Sequence, residues 1–349
     1  MATGTLTIDL DALVANWRAL DAMSGPGTQT AAVVKADGYG LGADRVAGAL
    51  AAAGARNFFV ATPEEGAALR TALGPEPEIC VFNGHMAGDA EVLHRARLVP
   101  MLNSIEQLTL HFETLRGAPF GVQLDSGMNR LGLEPDEWEA VAAIALEMGP
   151  TLLMSHLASA DAPDNPQNAA QRAAFRAMTD GTGVPRSLAA TGGTILGPDF
   201  HFEVTRPGIG LYGGLPFTEA RPVARVTLPV IQTRLVREDE HVGYNATWTA
   251  PRDTMLATVA GGYADGIHRI LSNTGTLWAG ETPCPIRGRV SMDLITADVS
   301  ALPEIPDALD LLGPTQGVDD VARDAGTIGY EILTSLGARY GRRYLGAGA

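Results

Sequence analysis

The apolar run Ala31–Val34 ends on Lys35, and the next seven residues, ADGYGLG, place Gly38, Gly40 and Gly42 around one aromatic, Tyr39. An amine between apolar walls loses solvation, which favours the neutral nucleophile that can condense with a carbonyl. A turn of small residues beside it can bring backbone amides and a phenol to an anion. The plain alternative is a lysine solvated at a strand end. Further along, VTRPGIGLYGG (204–214) sets Arg206 just ahead of Gly208 and Ile209. Such a segment lets backbone approach a phosphate, or is simply a tight turn. In QLDSGMNRLG (123–132), Asp125 is followed by Arg130, which could grip a carboxylate through two nitrogens. His156 ends TLLMSH, as a structural imidazole or a functional one. Three of only seven tyrosines stand beside glycines: Tyr244 in VGYNATWTA, Tyr263 in GGYADGI and Tyr330 in TIGYEI. Each alone reads equally as a packing residue with a satisfied hydroxyl.

These residues need elements to position them. From residue 30 to about 215, eight short apolar runs alternate with helical patterns. They are 31–35, 57–61, 78–84, 98–102, 120–125, 151–156, 187–192 and 207–213. Asp44, Pro63, Ser104 and Pro135 mark helix starts. Strands alternating with helices imply a parallel sheet. Eight of them predict an α/β fold of the TIM type, a (β/α)8 barrel, over an open doubly wound sheet. The residues after each run would then lie at the C-terminal face, where barrel enzymes place their sites. After residue 220 the texture becomes alternating and turn-rich. This predicts two domains, 1–220 and a mainly β domain at 221–349, with residues 4–9 able to pair with the second.

Composition narrows the partners. The 349 residues carry 25 basic and 40 acidic side chains, a net charge of −15. Nucleic acid and anionic membranes call for basic patches, so neither is expected. An anionic substrate would need local positive groups. Cys80 and Cys284 form no CxxC pattern, so neither a disulfide framework nor a metal site is expected. The N-terminus lacks a signal-peptide pattern and no apolar run reaches a membrane-spanning length, so a cytoplasmic protein is expected.

Together the segments resemble one family. VVKADGYG, DSGMNRLG, MSHLASAD, RPGIGLYG, GYNATWTA, GYADG and GRVSMD stand in the order and spacing of an alanine racemase, with TIGYEIL and RYGRRY at the end. The resemblance covers almost the whole chain. It implies a pyridoxal-phosphate (PLP) enzyme that interconverts L- and D-alanine and supplies D-alanine for peptidoglycan. It implies a homodimer with shared active sites. Lys35 would carry PLP and act as one base, and Tyr244, from the partner subunit, would be the opposite base. Arg206 would face the pyridine nitrogen and, because arginine holds its proton, leave that nitrogen unprotonated. Tyr39, Thr191, Gly192, Gly208, Ile209 and Tyr330 would serve the phosphate. His156 would lie by Tyr244 or the ring. Arg130 would engage the cofactor's phenolic oxygen and the substrate carboxylate. Met292 and Asp293 of the second chain would line the substrate end, and Tyr263 resembles an entry-gate tyrosine. A free tyrosine ionises near pH 10, so the Arg206–His156 side would have to favour the Tyr244 phenolate.

The chain departs from the family pattern at three places. Gln123 stands where the family often has a carbamylated lysine, and would hydrogen-bond to Arg130 without the charge. Thr191-Gly192 replaces Asn-Ser. Leu41 replaces the more common histidine. A broader amino-acid or serine racemase remains an alternative. A PLP decarboxylase of the same barrel would use a cysteine near the site, and a non-catalytic PLP carrier would need no second domain.

Overall fold

A computed structural model describes residues 4–346. It divides into two compact units. One is Leu13–Leu211 with Pro216–Glu219; the other holds the segment through Ala12, Tyr212–Leu215 and the chain from Ala220 onward.

The first unit is the expected barrel. Strands Ala32–Val33, Asn57–Val60, Glu78–Val81, Val99–Leu102, Gly121–Gln123, Leu153–Met154 and Arg186–Ser187 pair in parallel, each with the next. The eighth strand is Val204–Thr205, which pairs in parallel with Gln29–Thr30. Flanking bonds close the ring. Glu203 and Arg206 donate to the carbonyls of Arg186 and Ala189, and Ala31 and Val33 donate to those of Thr205 and Pro207. Barrel strands are covered on both faces, so they read as continuous apolar runs rather than alternating ones. Phe58, Phe59, Val60, Ile79, Cys80 and Val81 are buried accordingly.

Two of the eight expected strands are corrected. The run 207–213 is not the eighth strand: Pro207 has no N–H to give a ladder, and Ile209–Tyr212 forms a 3-10 turn. Of the run 187–192 only the start is extended, because Thr191–Ile195 coils into one helical turn.

The helices follow from their caps and stripes. In Ala43–Ala53 the residues Val46, Ala47, Ala49 and Leu50 are buried, an i, i+3, i+4 stripe. The Thr62 hydroxyl accepts the Glu65 N–H at the start of Pro63–Leu73, and Ser104 accepts that of Gln107 before Ile105–Thr114. Glu134 and Glu137 form a capping box around Pro135. Trp138 and Phe175 from the helices pack with Leu102, Phe120, Val122, Leu153 and Leu188 into one core cluster.

The second unit is built on the 13-residue strand Ala224–Val236. Its first half pairs with Ala308–Leu312 and with Thr5–Asp9; its second half pairs with Thr254–Ala260. An irregularity between Val230 and Gln232 marks the change. Thr5–Asp9 also pairs in parallel with Gly341–Leu345. Here burial alternates along the strand, as in Thr5–Asp9, because one face packs and the other does not.

Candidate active site

Lys35 stands at the C-terminal end of the first barrel strand, and the chain after it turns in an unusual way. Ala36, Asp37, Gly38 and Tyr39 all have φ between 53° and 62°, a left-handed helical turn. Three of the four carry a Cβ, and each such residue costs about 1–2 kcal/mol in this region. Local bonds hold the turn. Glu65 accepts the N–H groups of Ala36 and Ala61, both at 2.8 Å, tying the turn to the end of the second strand. Asp37 Oδ1 accepts the Ala43 N–H at 2.9 Å, and the Gly42 N–H reaches the Asp37 carbonyl at 2.8 Å. The turn carries Tyr39 inward, where it is buried. Leu41 is fully buried too, so the residue at this departure from the family is a packing residue.

The amine of Lys35 lies 5.6 Å from the centre of the Phe82 ring. Burial, and then the charge of Arg130, hold its pKa below the usual lysine value, against an opposing pull from Glu65. His156 feels the same cations. Burial first, then Arg206, Arg130 and Lys35, push its pKa down to about 3, so it is neutral at physiological pH. Arg206 is only 2% exposed. Burial lowers its pKa to about 10, which leaves it charged. The site is thus a local concentration of positive charge in a chain of net −15.

Arg206 donates to the Ser187 hydroxyl and, at 2.6 Å, to the Ser155 carbonyl. Beside the eighth strand, the Thr191 hydroxyl accepts the N–H groups of Gly208 and Gly210 at 3.0 and 3.2 Å. The Gly208 amide is therefore directed at Thr191. A Cβ on Gly208 would lie 2.3 Å from the Tyr39 hydroxyl, and one on Gly192 would lie 2.8 Å from the Ala160 Cβ. Ile209 is buried at the head of its 3-10 turn. Gly192 and Gly193 occupy the first turn of Thr191–Ile195.

Arg130 is exposed, on a loop tied at its base. Asp125 Oδ1 accepts from Gly127 and Met128 at 2.7 and 2.9 Å. Gln123 does not bond to Arg130 as expected. Its amide donates to the Leu131 carbonyl at 3.2 Å, because the chain folds back so that Leu133 and Gln123 pair through their backbones. Gln123 orders the loop, and Arg130 is left to project from it.

The second unit groups the remaining candidates. Tyr244 stands at the tip of a hairpin formed by His241–Val242 and Trp248–Thr249, and is 69% exposed. Gly243, Asn245 and Ala246 have positive φ, so the tip bends sharply around it. Tyr263, Met292 and Asp293 are brought together: the N–H groups of Gly261, Tyr263 and Ala264 donate to the carbonyls of Asp293, Ser291 and Met292. Arg339 bridges Asp293 at 2.6 Å and Asp265 at 2.8 Å. Tyr263 and Met292 present exposed side chains. Tyr330 is partly exposed on the helix Gly329–Ser335.

Several residues of the site carry no sequence signal. Gln171, on the helix Pro166–Thr179, is buried; it donates to the His156 carbonyl at 3.0 Å and accepts the Ala158 N–H at 2.8 Å. Ser126 and Ser155 join hydroxyls at 2.7 Å. Nothing in AAQRAAF or RSLAA distinguishes Gln171 or Ser187 from ordinary polar residues. Glu65 could have been suspected only as a first-turn acid.

A barrel with a lysine at its first strand end is joined in sequence to a β unit bearing an exposed tyrosine, and comparison gives this two-unit architecture a family. The model for the alanine racemase N-terminal domain matches residues 8–216, and that for the C-terminal domain matches 223–344. The chain belongs to the alanine racemase family. It is 70% identical over 344 residues to an alanine racemase of Cereibacter sphaeroides, covering 99% of both chains. The alanine racemase of Bartonella henselae, solved with covalently bound pyridoxal phosphate, superposes with a TM-score of 0.93 at 38% identity, over 99% of this chain and 100% of that one. The biosynthetic alanine racemase of Pseudomonas aeruginosa gives 0.92 at 34% identity, over the same shares.

Proposed function

We propose that this protein is a PLP-dependent alanine racemase that uses two bases, Lys35 and Tyr244. The observation that carries the reading is a lysine of lowered basicity at the end of the first barrel strand, set among cations. The residues fit the cofactor. Lys35 offers an amine for its aldehyde. Arg206, held by neutral oxygens, offers N–H groups and a fixed charge toward a ring nitrogen. The Tyr39 hydroxyl, the first-turn amides at Gly192 and Gly193, and the Thr191 hydroxyl offer donors for a phosphate, and a Cβ at Gly208 would intrude on the Tyr39 hydroxyl. Bound PLP supplies an electron sink that acidifies the Cα–H of the amino acid attached to it.

The protein's own groups then do the proton work. Inversion needs one proton removed from one face of Cα and another returned to the opposite face, each by a group within hydrogen-bond reach. Lys35 can serve as base on one face because its lowered pKa makes the neutral amine accessible. Tyr244 is the base for the other face, offered by the hairpin tip of a second copy of the chain. Arg130 binds the substrate carboxylate. His156, held neutral, accepts or donates a hydrogen bond without adding charge. Arg206 keeps its proton and so cannot protonate the ring, which limits how far negative charge is stabilised there and favours prompt return of the proton to Cα.

The barrel unit, Leu13–Leu211, acts here as the cofactor domain and the unit from Ala220 onward as the carrier of the second base. The exposure of Tyr244 and Met292 supports a homodimer in which each β domain, with Asp293 and Tyr263, completes the other's site and its entrance, and Tyr330 helps hold the phosphate. The cytoplasm is the compartment assigned, and D-alanine for the cell wall the product's use. The test uses purified protein with PLP. The visible band of the bound cofactor should be lost on borohydride treatment, with the reduced cofactor then staying on the chain through dialysis, and Lys35→Ala should abolish both that attachment and racemisation. Tyr244→Phe should block proton exchange chiefly from one enantiomer. Undiminished solvent-deuterium incorporation at Cα from both enantiomers in Tyr244→Phe would remove Tyr244 from its role. Rates over a panel of L-amino acids decide between alanine and a broader substrate range: a serine rate matching that of alanine favours the broader one.

A further inference from the structure

Arg206 is a buried cation whose orienting partners are all neutral. No ion pair joins it to a carboxylate among the described residues, and the one titratable group that pulls its pKa upward is Cys80, a buried thiol that burial keeps protonated. Two oxygens hold the guanidinium. One is the Ser155 carbonyl at 2.6 Å, which can only accept. The other is the hydroxyl of Ser187, itself fully buried.

The direction of every bond in this group is fixed by chemistry. Ser187 has one hydroxyl proton, and it lies against the Val204 carbonyl at 2.5 Å. A guanidinium only donates, so it must use the oxygen lone pairs of Ser187. The serine therefore links the seventh strand to the eighth and, through the same oxygen, to the side chain that leaves the end of the eighth. We propose that Ser187 is the positioning residue for Arg206: its hydroxyl, locked on the Val204 carbonyl, aims the guanidinium while leaving its charge uncompensated. A carboxylate in this place would orient Arg206 equally well but would cancel its charge. Neutral oxygens orient without cancelling.

The consequence for chemistry rests on the reading in which Arg206 faces the ring nitrogen of PLP. An aimed, uncompensated cation keeps that nitrogen unprotonated. The orientation itself is independent of the cofactor, and the experiment separates the two.

Full-length Ser187→Ala, Ser187→Cys and Ser187→Asp proteins are compared with wild type, with and without PLP. Without cofactor, the Arg206 guanidinium resonances of arginine-15N-labelled protein should be protected from solvent exchange in wild type and lose protection in Ser187→Ala. Equal protection in both overturns the proposal, whether or not the protein takes up PLP. In the holoenzyme, Ser187→Ala should lower kcat about tenfold to a hundredfold with KM within about threefold, the scale of one hydrogen bond to a charged group. Its visible cofactor band should shift. Ser187→Asp should keep the guanidinium protected yet also shift the band and lower kcat; a wild-type band and kcat there overturn the role of the uncompensated charge. If Ser187→Ala does not fold, Ser187→Cys decides, since it keeps the volume but is a weak acceptor: wild-type exchange and kcat in it overturn the proposal. A wild type that binds no PLP defeats the racemase reading and leaves the exchange result to judge Ser187.

Discussion

A Cβ added at Gly208 would meet the Tyr39 hydroxyl at 2.3 Å, closer than any real contact, so the two residues are matched in size. Gly208→Ala must push the phenol out of its place in the proposed phosphate cradle or displace the turn before Ile209. The expected result is a Kd for PLP raised at least about tenfold, the loss of one or more charge-assisted bonds, in a protein that still folds; fluorescence titration with the cofactor measures it. Lys35 is the other residue where identity matters more than charge. Its lowered pKa makes a neutral amine available. Lys35→Arg keeps the cation but cannot supply that amine. It should lose racemisation as completely as Lys35→Ala, measured by coupled D-amino-acid oxidation. In the sequence Lys35 stands out only when the downstream motifs are set beside it, because a lysine at the end of an apolar run reads equally as a solvated strand end.

At the scale of elements, the left-handed turn after Lys35 and the clamp from Gln171 show where sequence reading stops. Four consecutive residues in the left-handed region are not a propensity of ADGY; Glu65, 29 positions downstream of Ala36, helps to hold them there. Gln171 looks like a polar residue on an amphipathic helix. Its amide is instead buried against the loop after the sixth strand, tied to the His156 carbonyl and the Ala158 N–H. Gln171→Ala would leave these groups unpaired in the interior. About 2–3 kcal/mol of stability should be lost, with a fall in kcat, as the loop bearing His156 loosens. Urea unfolding of the cofactor-free protein gives the first quantity. A variant with unchanged midpoint would show that the loop holds itself. The misplaced eighth strand belongs here too. Apolar PGIGLYG predicts a strand, while the two-residue Val204–Thr205 makes the ladder, because closing a ring depends on neighbours rather than on the length of an apolar run.

Across the whole molecule, three depressed histidines give folding a common pH dependence. His156, with its pKa near 3, and the buried pair His85 and His111, whose Nδ1 atoms lie 3.1 Å apart, all have pKa values lowered first by burial. The unfolded chain takes up these protons near pH 6.5 and the folded chain does not, so the native state loses stability as pH falls below that value. Protonation of carboxylates relieves the net negative charge over the lower part of that range, which works the other way. The comparison of variants isolates the histidine part. Between pH 6.5 and 5 the thermal midpoint of cofactor-free His156→Asn should fall less steeply than that of wild type; parallel slopes would remove His156 from the account.

The sequence by itself determined the barrel and the β domain, through runs that bury on both faces in one and alternate in the other. It also determined the family, since this rests on residue type and order along the chain. The tertiary structure alone decided how the cations are held. Arg206 finds its acceptors 19 and 51 positions upstream, at Ser187 and Ser155, and Gln123 turns to Leu131 instead of Arg130. A hydrogen-bond partner is chosen by distance and direction in space. A serine or glutamine that will be chosen is the same in sequence as one that will face water.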